Sequence, residues 1–155
     1  MTVLEVKVPG EVWPVAISEE ALFTFPSGFV GYPDWQRFAL IPAPEGHPFT
    51  VLQSLDDAEV SFLVTDPRIL WPDYLPAISH DVLEHIEASS PDVVQLLCTL
   101  NVQQDGSMTA NLLGPIALST TSRLACQLVL YDTEYSTQHE LPPTRRAAFR
   151  ASLAR

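Results

Sequence analysis

Basic side chains are what this sequence has least of: eight lysines and arginines in 155 residues, against nineteen aspartates and glutamates. Four of the eight, Arg145, Arg146, Arg150 and Arg155, fall at the far C-terminal end. Residues 1–141 therefore hold only Lys7, Arg37, Arg68 and Arg123, four basic groups against nineteen acids, a formal balance of −15. Nucleic acid and anionic lipid are bound by lysine and arginine neutralising phosphates, so this body repels both. Cysteine is scarce too. Cys98 and Cys126 each sit inside an apolar run with no metal-ligand spacing, and in a cytosolic chain they are expected as buried free thiols. No stretch approaches the roughly 20 consecutive apolar residues that cross a bilayer. The start, Met1 to Glu5, lacks the basic and apolar regions of a signal peptide, so a cytoplasmic protein without a membrane segment is expected.

Catalytic signatures are equally thin. No G-x-S-x-G elbow occurs, and the serine, histidine and glutamate of Ser136 to Glu140 need an oxyanion hole and convergence in space to act as a triad. Gly28-x-x-Gly31 is too short for a phosphate loop and lacks its lysine; glycines at turns of positive φ are the plainer account. His80 and His85 stand five apart, so they do not share a helical face as a zinc pair at i, i+4 does. No cofactor and no metal are expected.

What is present is strand chemistry. With 46% apolar residues, 155 residues suit one core, and the apolar positions recur mainly at period 2. Leu4 to Val8, Arg37 to Ile41, Phe49 to Leu55, Val60 to Thr65, Val93 to Val102, Met108 to Leu113 and Leu124 to Tyr131 read as strands. They are separated by turn formers: Pro9-Gly10, Pro42 to Gly46, Asp56-Asp57, and Asp105-Gly106, a strong hairpin signal. Gly114-Pro115 interrupts one run and predicts a bend there, with Ile116 continuing on a changed course. A single short helix is expected around residues 79–87, with Ser79 as N-cap and Val82, Leu83 and Ile86 on one face. Beyond Pro142-Pro143 the basic tail, 142–155, has alanine, arginine and leucine at helix-favouring positions. The expectation is an all-β fold, mainly an antiparallel β-barrel-like domain over 1–141, with that helix and a possible C-terminal one.

The densest stretch is Leu52 to Tyr74. Two apolar runs flank the acidic turn of Asp56, Asp57 and Glu59. Then Asp66-Pro67 leads into Ile69 to Tyr74, which mixes large side chains with prolines and carboxylates and is expected to be an ordered surface loop. Carboxylates without a neighbouring histidine, cysteine or lysine suit holding rather than reacting. We take Asp56, Asp57, Glu59, Asp66, Trp71, Asp73 and Tyr74 as a candidate partner face, in which the carboxylates steer a basic partner and the aromatics anchor it. The same residues also suit a purely structural role, with the carboxylates capping turns and the aromatics packed on the barrel. An acidic surface kept for solubility explains the charge as well.

Read together, Phe25-Pro26-x-Gly28-x-x-Gly31, the run Leu52-Gln53-Ser54-Leu55-Asp56-Asp57, Asp66-Pro67, Trp71-Pro-Asp-Tyr74, Asn111-Leu-Leu-x-Pro115-Ile116, Gln127-Leu-Val-Leu130 and Tyr135-Ser-Thr-x-His139 resemble the flagellar assembly factor family FliW, in order from about Val3 to Leu141. The chain has Ser119 and Ala125 where the family pattern carries an asparagine and later a glycine, and its tail lies outside the pattern. The resemblance implies a small, non-enzymatic β-barrel-like protein with two protein partners. One is cytoplasmic flagellin. The other is the RNA-binding translational repressor CsrA, which the flagellin-free protein antagonises, relieving repression of flagellin translation. Two rivals remain at this point: an enzyme, which calls for a deep polar pocket where His139 meets acids, and a small-ligand barrel, which calls for an interior cavity.

Overall fold

A computed structural model describes residues 3–6, 15–42, 49–105, 107–131 and 133–142. The expected turn at Pro9-Gly10, residues 43–46 of the expected Pro42 to Gly46 connection, Gly106 of the expected Asp105-Gly106 turn, and the expected helix in the tail after Pro142 lie outside these residues. Strands β1 (Val3–Val6) and β2 (Val15–Ser18) pair antiparallel as a ribbon of their own. The remaining strands are β3 (Leu22–Thr24), β4 (Arg37–Pro42), β5 (Thr50–Ser54), β6 (Ser61–Thr65), β7 (Val94–Val102), β8 (Met108–Ala110), β9 (Ile116–Ser119), β10 (Ala125–Gln127) and β11 (His139–Glu140). They form one antiparallel sheet in the order β10-β9-β7-β6-β5-β4-β3, with β8 beside β7 and β11 beside β8.

The long strand β7 organises this sheet. It is wide enough to pair with β9 along Val94 to Leu97 and with β8 along Leu100 to Val102, while β6 holds its other edge. Between β8 and β9, residues 111–115 stand opposite only Cys98 and Thr99. The surplus residues loop out where Gly114-Pro115 predicts a bend, because proline has no N–H to donate to a ladder. The Asn111 side chain closes that excursion by accepting the Gly114 N–H at 2.8 Å.

The all-β, mainly antiparallel class holds, and barrel-like describes it loosely, because the sheet does not close. The sheet curls until its two ends touch at one place, where the Thr24 N–H donates to the Arg123 carbonyl at 3.0 Å and Thr24 bridges Leu124 in parallel. Among the described residues the sheet is otherwise open. Inside the curl lie Phe23, Phe25, Phe29, Phe38, Leu52, Val64, Leu97, Ile116 and Leu118. On the opposite face, Leu96, Cys98, Leu100 and Ala117 join Leu70, Tyr74, Ile86, Leu112 and Leu128 in a second core. Alternation along β7 sends Leu97 to one core and its neighbours to the other, so a central strand is apolar on both faces.

Two short helices cover the second core. α2 (His80–His85) forms where expected, slightly shorter than 79–87: the Ser79 hydroxyl accepts the Val82 N–H at 3.2 Å, and Ile86 is fully buried. α1 (Pro67–Leu70) is a correction, since this segment reads as loop in sequence. Asp66 accepts the Arg68 N–H at 2.9 Å and Pro67 occupies the first turn, a start signal that outweighs the irregular composition after it.

Candidate functional site

The acidic turn between β5 and β6 is braced from inside. Gln53 is fully buried, and its amide donates to the carbonyls of Ser54, Ala58 and Val60 at 3.0, 3.0 and 3.2 Å. The Ser54 hydroxyl accepts the N–H groups of Asp56 and Asp57 at 3.1 and 3.0 Å. The motif residues Gln53 and Ser54 thus replace, with side chains, the ladder that the turn interrupts.

Asp56 stands at the surface and turns its carboxylate back onto the start of β4. Its carboxylate accepts the backbone N–H groups of Gln36 and Arg37 at 2.9 and 2.8 Å and pairs with the Arg37 guanidinium at 3.2 Å. Partial burial pushes its carboxyl up, but the N–H groups of Arg37 and Gln36 and the Arg37 cation together outweigh that and hold it below the ordinary carboxylate value. Asp57 spends one oxygen on the Glu59 N–H at 3.0 Å, and Glu59 itself is exposed. Asp66, besides capping α1, accepts the Gln95 amide at 3.2 Å.

The two aromatics part company. Trp71 is half-buried with its ring edge-on to His139, centroids 5.4 Å apart, and the neighbouring Asp73 is exposed. Tyr74 is 1% exposed; its hydroxyl donates to the Leu112 carbonyl at 2.8 Å and its ring meets Tyr135. As a partner anchor Tyr74 is therefore corrected to a core residue, and burial pushes its phenol far up. Of the seven candidate residues, Asp57, Glu59 and Asp73 have carboxylates facing solvent, Trp71 lies at the margin, and Asp56, Asp66 and Tyr74 hold the fold.

The other motif residues are likewise structural. Phe25 is fully buried against Phe29 and Phe38. Pro26 is exposed in the turn that follows, and its carbonyl accepts the Gln36 amide at 3.5 Å. Gly28 has φ +70° and sits where a Cβ would come within 2.5 Å of the Pro33 carbonyl oxygen; Gly31 has φ +85° in open space. Gln127 ties three segments together, donating to the Gly114 carbonyl at 3.1 Å and accepting the Val30 N–H at 3.2 Å. The Pro115 carbonyl accepts the Leu128 N–H at 2.7 Å. Where the chain has Ser119, its hydroxyl accepts the Ser122 N–H at 3.2 Å and Arg123 takes the left-handed φ of +63°. His139 packs among Trp71 and Tyr135, and His80 pairs with Glu84 at 3.1 Å. Among the described residues, no three His, Cys, Asp or Glu side chains gather as a metal-holding group. Cys98 and Cys126 are free thiols, pushed up by burial to about 12 and about 11 respectively; Cys126 is only half-buried.

One feature is not anticipated from sequence: an open groove of about 980 Å³ between the Ser27 to Val30 loop, the end of β10 with the chain after it, Leu75 to Ala77 and one side of α2 from its Ser79 cap to His85. Leu75, Tyr131, Val30 and Val129 line it and are 77%, 80%, 59% and 50% exposed. Its only sequence trace is the alternation of Gln127 to Tyr131, which marks an outer strand face without revealing what stands opposite. The groove is at the surface, whereas the interior of the curl is filled by phenylalanines.

With this geometry in place, comparison with known proteins is direct. The family model described as FliW protein matches residues 10–141. The flagellar assembly factor FliW of Treponema denticola is 34% identical over 137 residues, covering 88% of this chain and 92% of that one. That of Syntrophus aciditrophicus is 32% identical over 132 residues, 84% of each chain. A crystal structure of the flagellar assembly factor FliW superposes with a TM-score of 0.81 at 27% identity, covering 90% of this chain and 97% of the other.

Proposed function

The chain belongs to the FliW family, and from that premise we propose that it is a non-enzymatic flagellar assembly factor of the cytoplasm. It binds flagellin and, when free of flagellin, binds and antagonises the translational repressor CsrA, so that flagellin supply feeds back on flagellin synthesis. The observation that carries the binding role is the braced acidic turn: Asp57 and Glu59 stand on a hairpin whose shape is fixed by buried side chains, in a body of net charge −15. A rigid acidic projection meets a basic partner without an ordering cost, and its field speeds encounter in a salt-dependent way.

The test uses Glu59→Lys with Asp73→Lys, both exposed, leaving Asp56 in place because it holds β4. Calorimetric titration of purified CsrA into the variant is expected to show at least tenfold weaker binding at low salt, with the gap narrowing at high salt and the melting curve unchanged. Equal affinity of parent and variant at both salt concentrations removes the steering role. Pull-down from the native cytoplasm with and without added flagellin then tests the exchange between partners: flagellin is expected to displace CsrA.

A further inference from the structure

The ladder between β9 and β10 does not stop at Gln127. In unchanged register, the Leu128 N–H donates to the Pro115 carbonyl at 2.7 Å and the Leu130 N–H to the Leu113 carbonyl at 2.9 Å. Alternate residues of an extended strand direct their N–H and C=O to opposite sides. The backbone of Val129 therefore points outward, and among the described residues it meets no hydrogen-bond partner. An outer edge of this kind is normally blunted by lysine, proline or a covering loop. Here its side chains are Val129, Leu130 and Tyr131, and it borders the groove whose far wall carries Leu75, 77% exposed. Exposed apolar side chains scattered singly are ordinary, but four around one groove beside an open edge are not.

The surrounding charge selects the occupant. Of the groove's lining residues Asp81 is acidic, His85 stands near it on the same helix, and none is lysine or arginine; Glu84, one helical turn from Asp81, pairs with His80, and Glu134 follows Thr133. We propose that the Val129 edge is a strand-addition site for an extended, cationic segment of another protein: main-chain hydrogen bonds join it to Val129, and alternate apolar side chains enter the groove beside Leu75 and Val30. This surface is separate from the acidic turn, and the test is independent of which proteins the family role involves.

Fluorescently labelled ten-residue peptides serve as probes: one alternating lysine and valine, one alternating glutamate and valine, and the first with its alternate amides N-methylated. Anisotropy with the full chain is expected to show binding of the lysine peptide, and at least tenfold weaker binding of the other two. Amide exchange at Val129 slows when the lysine peptide is bound. Val129→Pro removes an outward N–H and replaces an exposed side chain of the groove, and Leu75→Arg changes another exposed one, so both variants keep the melting temperature and lose at least tenfold in affinity. Failure of the lysine peptide to bind, equal binding of the glutamate peptide, or unchanged Val129 exchange overturns the proposal. So does a Val129 amide already protected in the free protein, whether the protection disappears on deleting residues 143–155 or on dilution of a dimer, since the edge then belongs to the chain itself.

Discussion

At the scale of single residues, side chains that look alike in sequence divide by which way they point. Asp56 and Asp57 are adjacent carboxylates, yet Asp56 is bound by two backbone N–H groups and a guanidinium while Asp57 lies on the outer side of the turn. Asp56→Asn is expected to cost about 1–2 kcal/mol at neutral pH, the range for losing charge-assisted hydrogen bonds. The sign follows from its lowered folded-state value: the contribution is complete above the unfolded carboxyl value, 3.8, and is lost as pH falls through the folded one. Urea midpoints of parent and variant should therefore differ steadily above about pH 5 and converge below about pH 4. Tyr74→Phe removes the hydroxyl that satisfies the Leu112 carbonyl and is expected to cost about 1–2 kcal/mol in urea denaturation while leaving the proposed CsrA binding unchanged. A loss of binding at unchanged stability would return Tyr74 to the partner face.

At the scale of elements, what was legible in the sequence is what local periodicity and turn chemistry fix. The β5–β6 hairpin, β7, the bend at Gly114-Pro115 and α2 with its Ser79 cap all stand within a residue or two of their expected places. α1 was missed because four residues carry too little periodicity, although the Asp66-Pro67 start signal was in view. The two glycines of the Phe25 to Tyr32 turn make predictions of the same sign but different size from one motif. Both have positive φ, but Gly28 also abuts the Pro33 backbone. Gly31→Ala should cost about 1 kcal/mol, the strain of a left-handed alanine. Gly28→Ala should cost more than about 2 kcal/mol, because backbone must move as well. Thermal melts of the two variants check the order, and equal costs would mean that the turn relaxes freely.

At the scale of the whole molecule, the two cores on either face of one sheet meet through β7, which makes Cys98 a probe of global opening. Its thiol is fully buried and pushed up to about 12, so labelling by a thiol reagent at neutral pH should proceed only through unfolding and accelerate with urea in step with the global transition. Half-buried Cys126 should react first. The charge imbalance, the strand-rich class, the hairpins and the family resemblance were determined by the sequence alone, because net charge, period-2 alternation and turn residues act locally or additively. Tertiary structure alone decided that Asp56 ties back to β4 and Tyr74 turns inward, that the sheet curls without closing, and that Val30, Leu75, Val129 and Tyr131, spread over about a hundred residues of chain, line one groove. The reason is physical: a side chain's direction follows from register and curl, and these are set by pairings between strands far apart in sequence.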